Sequence, residues 1–148
     1  MPPKYIVTGV IALVLISADY LCGSVGSVEI PMAHKFCKCF NNTNDIELVK
    51  CQCVHSELEK IPNDLPTPLH VLMIAKAAIE NLTKDSFKNY KKSLTDISLR
   101  DLKNLAYIEN GIFDEMDQLL TIVIRTAPNL KVISPTLFNV YLPKLKIL

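Results

Sequence analysis

Four cysteines form two closely spaced pairs that could either bind a metal ion or form disulfide bonds. The pairs are "CKC", with Cys37 and Cys39, and "CQC", with Cys51 and Cys53. Zinc sites built from four thiolates more often separate paired cysteines by two to four residues. Alternate residues of a strand point the same way, so two bonds could join neighbouring C-x-C strands, whereas a bond within one C-x-C is strained. The spacing favours two disulfide bonds and leaves two of the three pairings open.

The other reactive side chains match no known catalytic pattern. His34, His55 and His70 lack the spacing of metal ligands, and no H-E-x-x-H, G-x-S-x-G, P-loop or dinucleotide-binding motif occurs. The formal net charge is +1 and the basic residues are scattered, which argues against a nucleic-acid partner. We therefore predict that the chain is not an enzyme and that it uses no metal and no cofactor.

The amino terminus predicts entry into the secretory route, where disulfide bonds form. "MPPKY" supplies one positive charge, and the apolar run from Ile6 to Ala18 is shorter than the ~20 residues that span a bilayer. We predict a signal peptide at residues 1–26, cut between 18 and 26, with Cys22 at its edge; a short signal anchor is the alternative. The mature chain is expected to have no membrane span and to be secreted or to lie on the extracellular side of the plasma membrane.

Two Asn-x-Ser/Thr tripeptides fit the same compartment. "NNT" makes Asn41 a candidate for N-linked glycosylation, and "NLT" makes Asn81 another. The alternative for each is an unmodified surface asparagine.

An apolar pattern recurs every 25 residues and predicts the architecture. "LHVLMI" begins at Leu69, "LTDISL" at Leu94 and "LLTIVI" at Leu119, and a partial copy begins at Leu145. The later apolar positions of the copies are Ile79, Leu105 and Leu130, then Leu82, Ile108 and Ile133, then Phe87, Phe113 and Phe138. This period, with L-x-x-L-x-L at its head, is typical of leucine-rich repeats. We predict an α/β-type leucine-rich-repeat horseshoe at residues 69–148, with short parallel strands and an irregular convex side.

Within each copy the alternation predicts which side chains face the core. Around "LTDISL", Ile97 and Leu99 are predicted to point inward, while Asp96, Ser98 and Arg100 point outward on a short strand. The phenylalanines that recur on the return segment are expected to form a buried column. The outward residues are expected to form the concave face of the stacked strands.

The copies depart from the common repeat in one respect. "LRDLKNL" and "IRTAPNL" place Asn104 and Asn129 five positions after the last apolar strand residue, which predicts one bulged residue in each coil. The first copy, "IAKAAI", has no asparagine and is one residue shorter, so its turn is expected to differ. The preceding residues 34–68 are expected to form a cysteine-containing amino-terminal cap, because a solenoid must cover the apolar edge of its first coil.

These residues are similar to one family. "CKC…CQC…EKIPNDLP", "DLKNLAYIENGIF" and "IRTAPNLKVISPTLFNVYLPKLKIL" resemble, in the same order, the start of the ectodomain of the glycoprotein hormone receptors, which are leucine-rich-repeat G-protein-coupled receptors. The resemblance covers about residues 36–148. It implies an extracellular horseshoe whose concave face binds a cystine-knot glycoprotein hormone. It also implies a Cys37–Cys51 bond, which leaves Cys39 to pair with Cys53.

The resemblance implies that the outward strand residues contact the ligand. The predicted contacts are Val71, Met73, Asp96, Ser98, Arg100, Thr121, Val123 and Arg125. Arg100 and Arg125 occupy equivalent positions one coil apart, so they could form a short basic column for an acidic ligand surface. The alternative is a solvated strand face with ordinary charges.

Three functions fit these features. The chain is expected to be the hormone-binding start of a receptor of this kind, as a fragment or a short isoform. The alternatives are a complete secreted binding or decoy protein and a small matrix protein. After the third coil we expect an exposed strand edge with Leu119, Ile122 and Ile124, which further receptor sequence or a partner would have to cover.

Overall fold

The computed structural model describes residues 26–42, 48–138 and 142–146. The predicted signal peptide, apart from Gly26, and Cys22 lie outside the described residues. The strands are β1 (Ser27–His34), β2 (Cys37–Asn42), β3 (Val49–Val54), β4 (Val71–Ala75), β5 (Asn81–Leu82), β6 (Asp96–Arg100), β7 (Tyr107–Ile108) and β8 (Thr121–Arg125).

The strands form a β-solenoid of about three turns. One six-stranded sheet has the order β1-β2-β3-β4-β6-β8, in which β1, β2 and β3 are antiparallel and β3, β4, β6 and β8 are parallel. A second, two-stranded sheet joins β5 to β7 in parallel on the return side of the coils. The predicted stacking of short parallel strands is confirmed.

The predicted α/β-type architecture is not confirmed, because the described residues contain no helix. Between β5 and β6 the backbone closes successive three-residue turns: Ser86 N donates to Thr83 O, Lys88 N to Asp85 O, and Tyr90 N to Phe87 O. These bonds span three residues, whereas an α-helix needs an unbroken series spanning four. In this coil the turns still place Phe87, Tyr90 and Leu94 in the core.

One backbone hydrogen bond recurs at the entry to each strand of the stack. His70 N donates to Val49 O at 2.9 Å, Thr95 N to His70 O at 2.8 Å, and Leu120 N to Thr95 O at 2.7 Å. Lys146 N then donates to Leu120 O at 2.8 Å. Each coil therefore pairs with the coil before it at the same position, which satisfies backbone groups that would otherwise be buried without partners.

The alternation predicted for the strands is confirmed by burial. The inward residues Leu72, Ile74, Ile97, Leu99 and Ile122 are at most 1% exposed. They form one continuous core with the apolar residues of the return segments. Removing that apolar surface from water is the main favourable term in the folding of the coils.

The predicted phenylalanine column is also present. The ring centroids of Phe87 and Phe113 are 6.5 Å apart, and those of Phe113 and Phe138 are 5.7 Å apart, with the rings stacked in both pairs. Phe87 and Phe113 are buried, whereas Phe138 is half-buried. Burial in the column therefore declines in the third coil.

The expected exposure after the third coil falls on different residues from those predicted. Leu119 and Ile122 are buried, because both face the inside of their own coil, and only Ile124 is half-buried. Ile133 is instead exposed, at 49%, although its counterpart Ile108 is only 5% exposed. The alternation of a strand directs a side chain inward, but burial on the return side requires a neighbouring coil.

Each coil leaves its strand through a left-handed residue. Lys76, Asp101 and Thr126 have φ of 54°, 52° and 56°, and each directly follows the last residue of β4, β6 or β8. Lys76 N donates to Arg100 O at 3.1 Å, and Asp101 N donates to Arg125 O at 3.0 Å. The first coil therefore turns at the same residue as the others, and its missing residue lies further along the return segment.

The two disulfide bonds correct the favoured pairing. Cys37 bonds to Cys53 and Cys39 to Cys51, with Cα atoms 4.0 and 4.1 Å apart. The implied Cys37–Cys51 and Cys39–Cys53 pairing is wrong, because it would require β2 and β3 to be parallel. They are antiparallel, and the register places Cys37 opposite Cys53 and Cys39 opposite Cys51.

Candidate ligand-binding face

The outward side chains of four parallel strands form one surface, which we call the strand face. Its members are Lys50, Gln52 and Val54 of β3, Val71, Met73 and Ala75 of β4, Asp96, Ser98 and Arg100 of β6, and Thr121, Val123 and Arg125 of β8. All eight predicted ligand contacts are among them, and neighbouring parallel strands lie ~4.8 Å apart. The structure therefore brings the predicted residues together on one side of the sheet.

The register arranges the strand face in three rows. Val71, Asp96 and Thr121 are consecutive partners, as are Met73, Ser98 and Val123. The third row is Ala75, Arg100 and Arg125. The residues of the first two rows are half-buried, and only the two arginines of the third are exposed. The face therefore combines a largely apolar or small middle row with a basic row at the strand ends.

Neither arginine of the third row has a carboxylate partner in the described part of the chain. The salt bridges of residues 26–42, 48–138 and 142–146 join His34 to Asp64 and Lys92 to Glu115. Arg100 Nε donates to Ser98 Oγ at 2.9 Å, which orients its guanidinium along the face. The remaining donors of a guanidinium suit a planar carboxylate or phosphate group.

The acidic residue of the strand face is held locally. Thr95 Oγ1 donates to Asp96 Oδ2 at 2.7 Å. Three basic residues, Lys50, Arg100 and Arg125, outnumber Asp96 on the face, although the whole chain is almost neutral. This local excess gives the face a positive potential that attracts acidic surfaces and repels basic ones.

The sequence interpretation missed the contribution of the disulfide-bonded hairpin to this surface. Lys50 and Gln52 continue the first two rows, because Lys50 pairs with Val71 and Gln52 with Met73. On the other side, Lys38 of β2 lies opposite Gln52. The C-x-C spacing already contained this signal: when alternate cysteines point to the core, the residues between them must point outward.

An aromatic cluster adjoins the strand face at the hairpin turn. The imidazole of His55 stacks on the Phe36 ring with centroids 4.0 Å apart, and Lys35 Nζ lies 4.3 Å from the centroid of the same ring. Lys35, Phe36, Lys38, Val54 and His55 line a shallow cleft together with Gln52. The cleft adds aromatic and cationic surface next to the basic row.

The three histidines have local structural partners. His70 Nδ1 accepts a hydrogen bond from Val49 N at 3.2 Å, His34 Nδ1 accepts one from Phe36 N at 3.2 Å, and His55 Nδ1 accepts one from Glu57 N at 3.1 Å. Across the described ranges, no three His, Cys, Asp or Glu residues are positioned to hold a metal ion together.

Tyr90 is a buried polar residue that the repeat pattern did not indicate. Its hydroxyl donates to Pro62 O at 2.7 Å and accepts a hydrogen bond from Leu65 N at 3.1 Å. Burial raises the pKa of Tyr90, and the charge of Asp64 raises it further, while the bond from Leu65 N opposes both. The hydroxyl joins the segment before β4 to the first return segment, so its role is structural.

The two predicted glycosylation sites lie in different parts of the fold. Asn41 is exposed in β2, and Thr43 of its tripeptide lies outside the described residues. Asn81 is exposed in β5, on the return side and away from the strand face, and Thr83 is exposed as well. Modification of either asparagine stays a prediction.

No protein-family model matches this chain, and comparison with curated proteins also finds no match. Within the described residues there is no helix with the length and hydrophobicity needed to cross a bilayer.

Proposed function

We propose that the chain is an extracellular protein-binding module of the leucine-rich-repeat type, and that it forms the hormone-binding start of a receptor similar to the glycoprotein hormone receptors. The observation that carries this proposal is the strand face, in which the outward residues of β4, β6 and β8 are in register and two arginines lack acidic partners among the described residues.

The repeat type is supported by the agreement between period and structure. Leu69, Leu94 and Leu119 begin the three copies, and each is fully buried immediately before a parallel strand of the sheet. The L-x-x-L-x-L head of the leucine-rich repeat requires this arrangement, with the later two leucine-type positions inside the strand and facing the core.

The role of residues 34–68 as an amino-terminal cap is supported by β3 and the disulfide bonds. β3 lies parallel to β4 and in register with it, so Cys51 and Cys53 neighbour Leu72 and Ile74 across the ladder. The disulfide-bonded hairpin thereby covers the first coil on one side. A short segment with few apolar residues can do this because covalent bonds restrict its unfolded state.

A protein ligand is favoured over a small molecule by the shape and chemistry of the strand face. Small-molecule sites are usually concave pockets that enclose most of the ligand. A sheet surface with a half-buried apolar row and exposed arginines instead resembles protein interfaces, in which arginine is enriched. The basic row predicts that the bound surface of the hormone is acidic.

Binding experiments on the secreted full-length chain test the proposal. Purified cystine-knot glycoprotein hormones would be passed over the immobilised protein, and the association and dissociation rates measured at several salt concentrations. We expect specific binding to at least one hormone, with an association rate that falls as salt increases, because surface charges steer the encounter.

A charge-reversed pair of variants locates the site. Arg100→Glu combined with Arg125→Glu should lower the affinity at least tenfold, which corresponds to a loss of about 1.4 kcal/mol. Lys88→Glu is the matched control, because Lys88 is exposed on the return side and carries the same charge. Equal losses of affinity in the double arginine variant and in Lys88→Glu would reject the strand face as the binding site. A folded chain that binds no hormone would reject the proposed ligand.

A further inference from the structure

The return side of the solenoid carries an exposed aromatic side chain beside a predicted glycosylation site. Asn81 of β5 and Tyr107 of β7 are register partners in the two-stranded parallel sheet. Both are exposed, Tyr107 at 55%, whereas the next residues of the two strands, Leu82 and Ile108, are buried. The side chains of Asn81 and Tyr107 therefore leave the sheet on the same side and from neighbouring strands.

The exposed row continues into the third coil. Val132 follows Tyr107 by 25 residues, as Asn129 follows Asn104, and it is 76% exposed. A large aromatic side chain thus lies next to Asn81, and a branched aliphatic side chain is exposed at the equivalent position of the next coil. Exposed large apolar side chains often mark a surface that another group covers. The proposed hormone-binding face does not account for these residues, because it lies on the six-stranded sheet.

We propose that Asn81 carries an N-linked glycan and that Tyr107 is the platform on which the first N-acetylglucosamine of this glycan packs. This inference rests on the proposed function, because that function requires the chain to pass through the secretory route. Neighbouring strands are ~4.8 Å apart, so a sugar ring attached to the Asn81 side chain is within reach of the adjacent phenol ring. The C–H face of the sugar is apolar and covers the ring, while the phenolic hydroxyl stays in water.

The tripeptide is sterically open to the modifying enzyme. Leu82 is buried, but Asn81 and Thr83 on either side of it are exposed. Thr83 N donates to Ser86 Oγ at 2.9 Å, so the tripeptide ends where β5 passes into a turn. An open cleft lies beside Asn81, lined by Glu59, Ala78, Glu80 and Asn104, and leaves space for the sugar.

The covalent step is a transfer from a lipid-linked pyrophosphate oligosaccharide. A bond forms between Asn81 Nδ2 and the anomeric carbon of the first sugar, and the bond from that carbon to the donor phosphate breaks. The amide nitrogen loses one proton, and the lipid pyrophosphate leaves with the electron pair of the broken bond. No oxidant or reductant is required.

The first experiment measures occupancy and coupling in the full chain, expressed in a glycosylating cell line and collected from the medium. Mass spectrometry of the Asn81 peptide should show a glycan. Tyr107→Thr, which retains a strand-forming residue but removes the ring, should lower the melting temperature by roughly 4 °C in the glycosylated protein. The same substitution in a Thr83→Ala background, which lacks the glycan, should have a clearly smaller effect.

Two matched controls separate ring stacking from other causes. Tyr107→Phe keeps the ring, so the glycosylated variant should have the same melting temperature as the glycosylated chain with Tyr107. Trimming the glycan with an endoglycosidase that leaves one N-acetylglucosamine should preserve the effect of Tyr107→Thr, because the proposed contact needs only the first sugar. Complete removal with an amidase should abolish it.

The outcomes also distinguish this inference from the proposed function. A chain that is not secreted would overturn both. A secreted, folded chain with Asn81 unmodified would overturn this inference alone. An equal effect of Tyr107→Thr with and without the glycan would likewise overturn it, even if hormone binding is found.

Discussion

The two sides of the coil stack are covered in different ways. At the amino-terminal side, β3 pairs with β4, two disulfide bonds tie β3 to β2, and Leu72 and Ile74 are fully buried. At the other side, β8 is the last strand of the described sheet, Ile124 is half-buried and Ile133 is 49% exposed. One side is closed by covalently restrained backbone, and among the described residues the other is covered only in part, by residues around Leu145.

This comparison separates the direction of a side chain from its burial. Ile108 and Ile133 occupy equivalent positions of successive coils, yet their exposures are 5% and 49%. The local pattern is the same, but among the described residues a complete coil follows only Ile108. In a solenoid the stability of each coil therefore depends largely on the interfaces with its neighbours.

The largest effect is expected at the centre of the phenylalanine column. Phe113→Ala should reduce the free energy of unfolding by about 3 to 5 kcal/mol, because Phe113 is 2% exposed and stacks on Phe87 and Phe138. Phe138→Ala should cost about half as much, since this ring is half-buried and, among the described residues, stacks only on Phe113. Chemical denaturation measures both values, and equal costs would contradict the comparison between the coils.

The next effect concerns the covalently closed side. Replacing all four bonded cysteines by alanine should cost about 3 kcal/mol, because the bonds close loops with separations of 16 and 12 residues. Removing only the Cys37–Cys53 bond or only the Cys39–Cys51 bond should cost much less, because the remaining bond closes nearly the same loop. Chemical denaturation of the three variants measures these costs. If the costs of removing each bond alone add up to the cost of removing both, the two bonds do not restrict nearly the same loop.

A smaller effect is expected at the contact between the pre-β4 segment and the first return segment. Tyr90→Phe should cost about 1 to 3 kcal/mol, because Leu65 N–H and Pro62 C=O would lose their buried partner. Burial raises the pKa of Tyr90 in the folded chain above its unfolded value of about 10. The stability that the neutral phenol contributes is therefore present below this unfolded pKa and is lost as the pH rises through the higher folded pKa.

The pH dependence supplies a separate readout for the same residue. Between pH 8 and pH 11 the melting temperature of the natural chain should fall more steeply than that of Tyr90→Phe, so that the two curves converge. Parallel curves would show that the phenol titrates in the folded state as it does in the unfolded state.

The smallest effect is expected on the open side. Ile133→Ala should change the free energy of unfolding by less than about 0.5 kcal/mol, as is usual for exposed positions. Ile108→Ala is the matched control in the second coil and should cost about 2 to 4 kcal/mol, because Ile108 is buried. Comparable losses would indicate that residues after Phe138 cover Ile133 in solution.

Much of the fold was predictable from periodicity. Strand alternation is a local property of the backbone, so "LTDISL" predicted that Ile97 and Leu99 point inward and Asp96, Ser98 and Arg100 outward. The 25-residue period predicted that these strands stack in parallel. The absence of a helix from the described return segments was not predictable, because their short apolar runs fit both turns and a helix.

The candidate site was predictable to a similar extent. The eight outward residues were identified from the pattern, and their register then followed from stacking. The contribution of Lys38, Lys50 and Gln52 was missed, because it depends on how the disulfide-bonded hairpin joins the sheet. The hydroxyl of Tyr90 was missed because Met116 occupies the corresponding buried position of the next coil, which indicates only an apolar site.

By itself, the sequence determined the repeat period, the inward and outward sets of each strand and the positions able to form disulfide bonds, because these follow from side-chain type and the two-residue geometry of a strand. Only the tertiary structure decided that Cys37 bonds to Cys53, that Lys76, Asp101 and Thr126 turn through the left-handed region, and that Ile133 stays exposed. These features depend on strand direction and on neighbouring coils, and both are relations between segments distant in the chain.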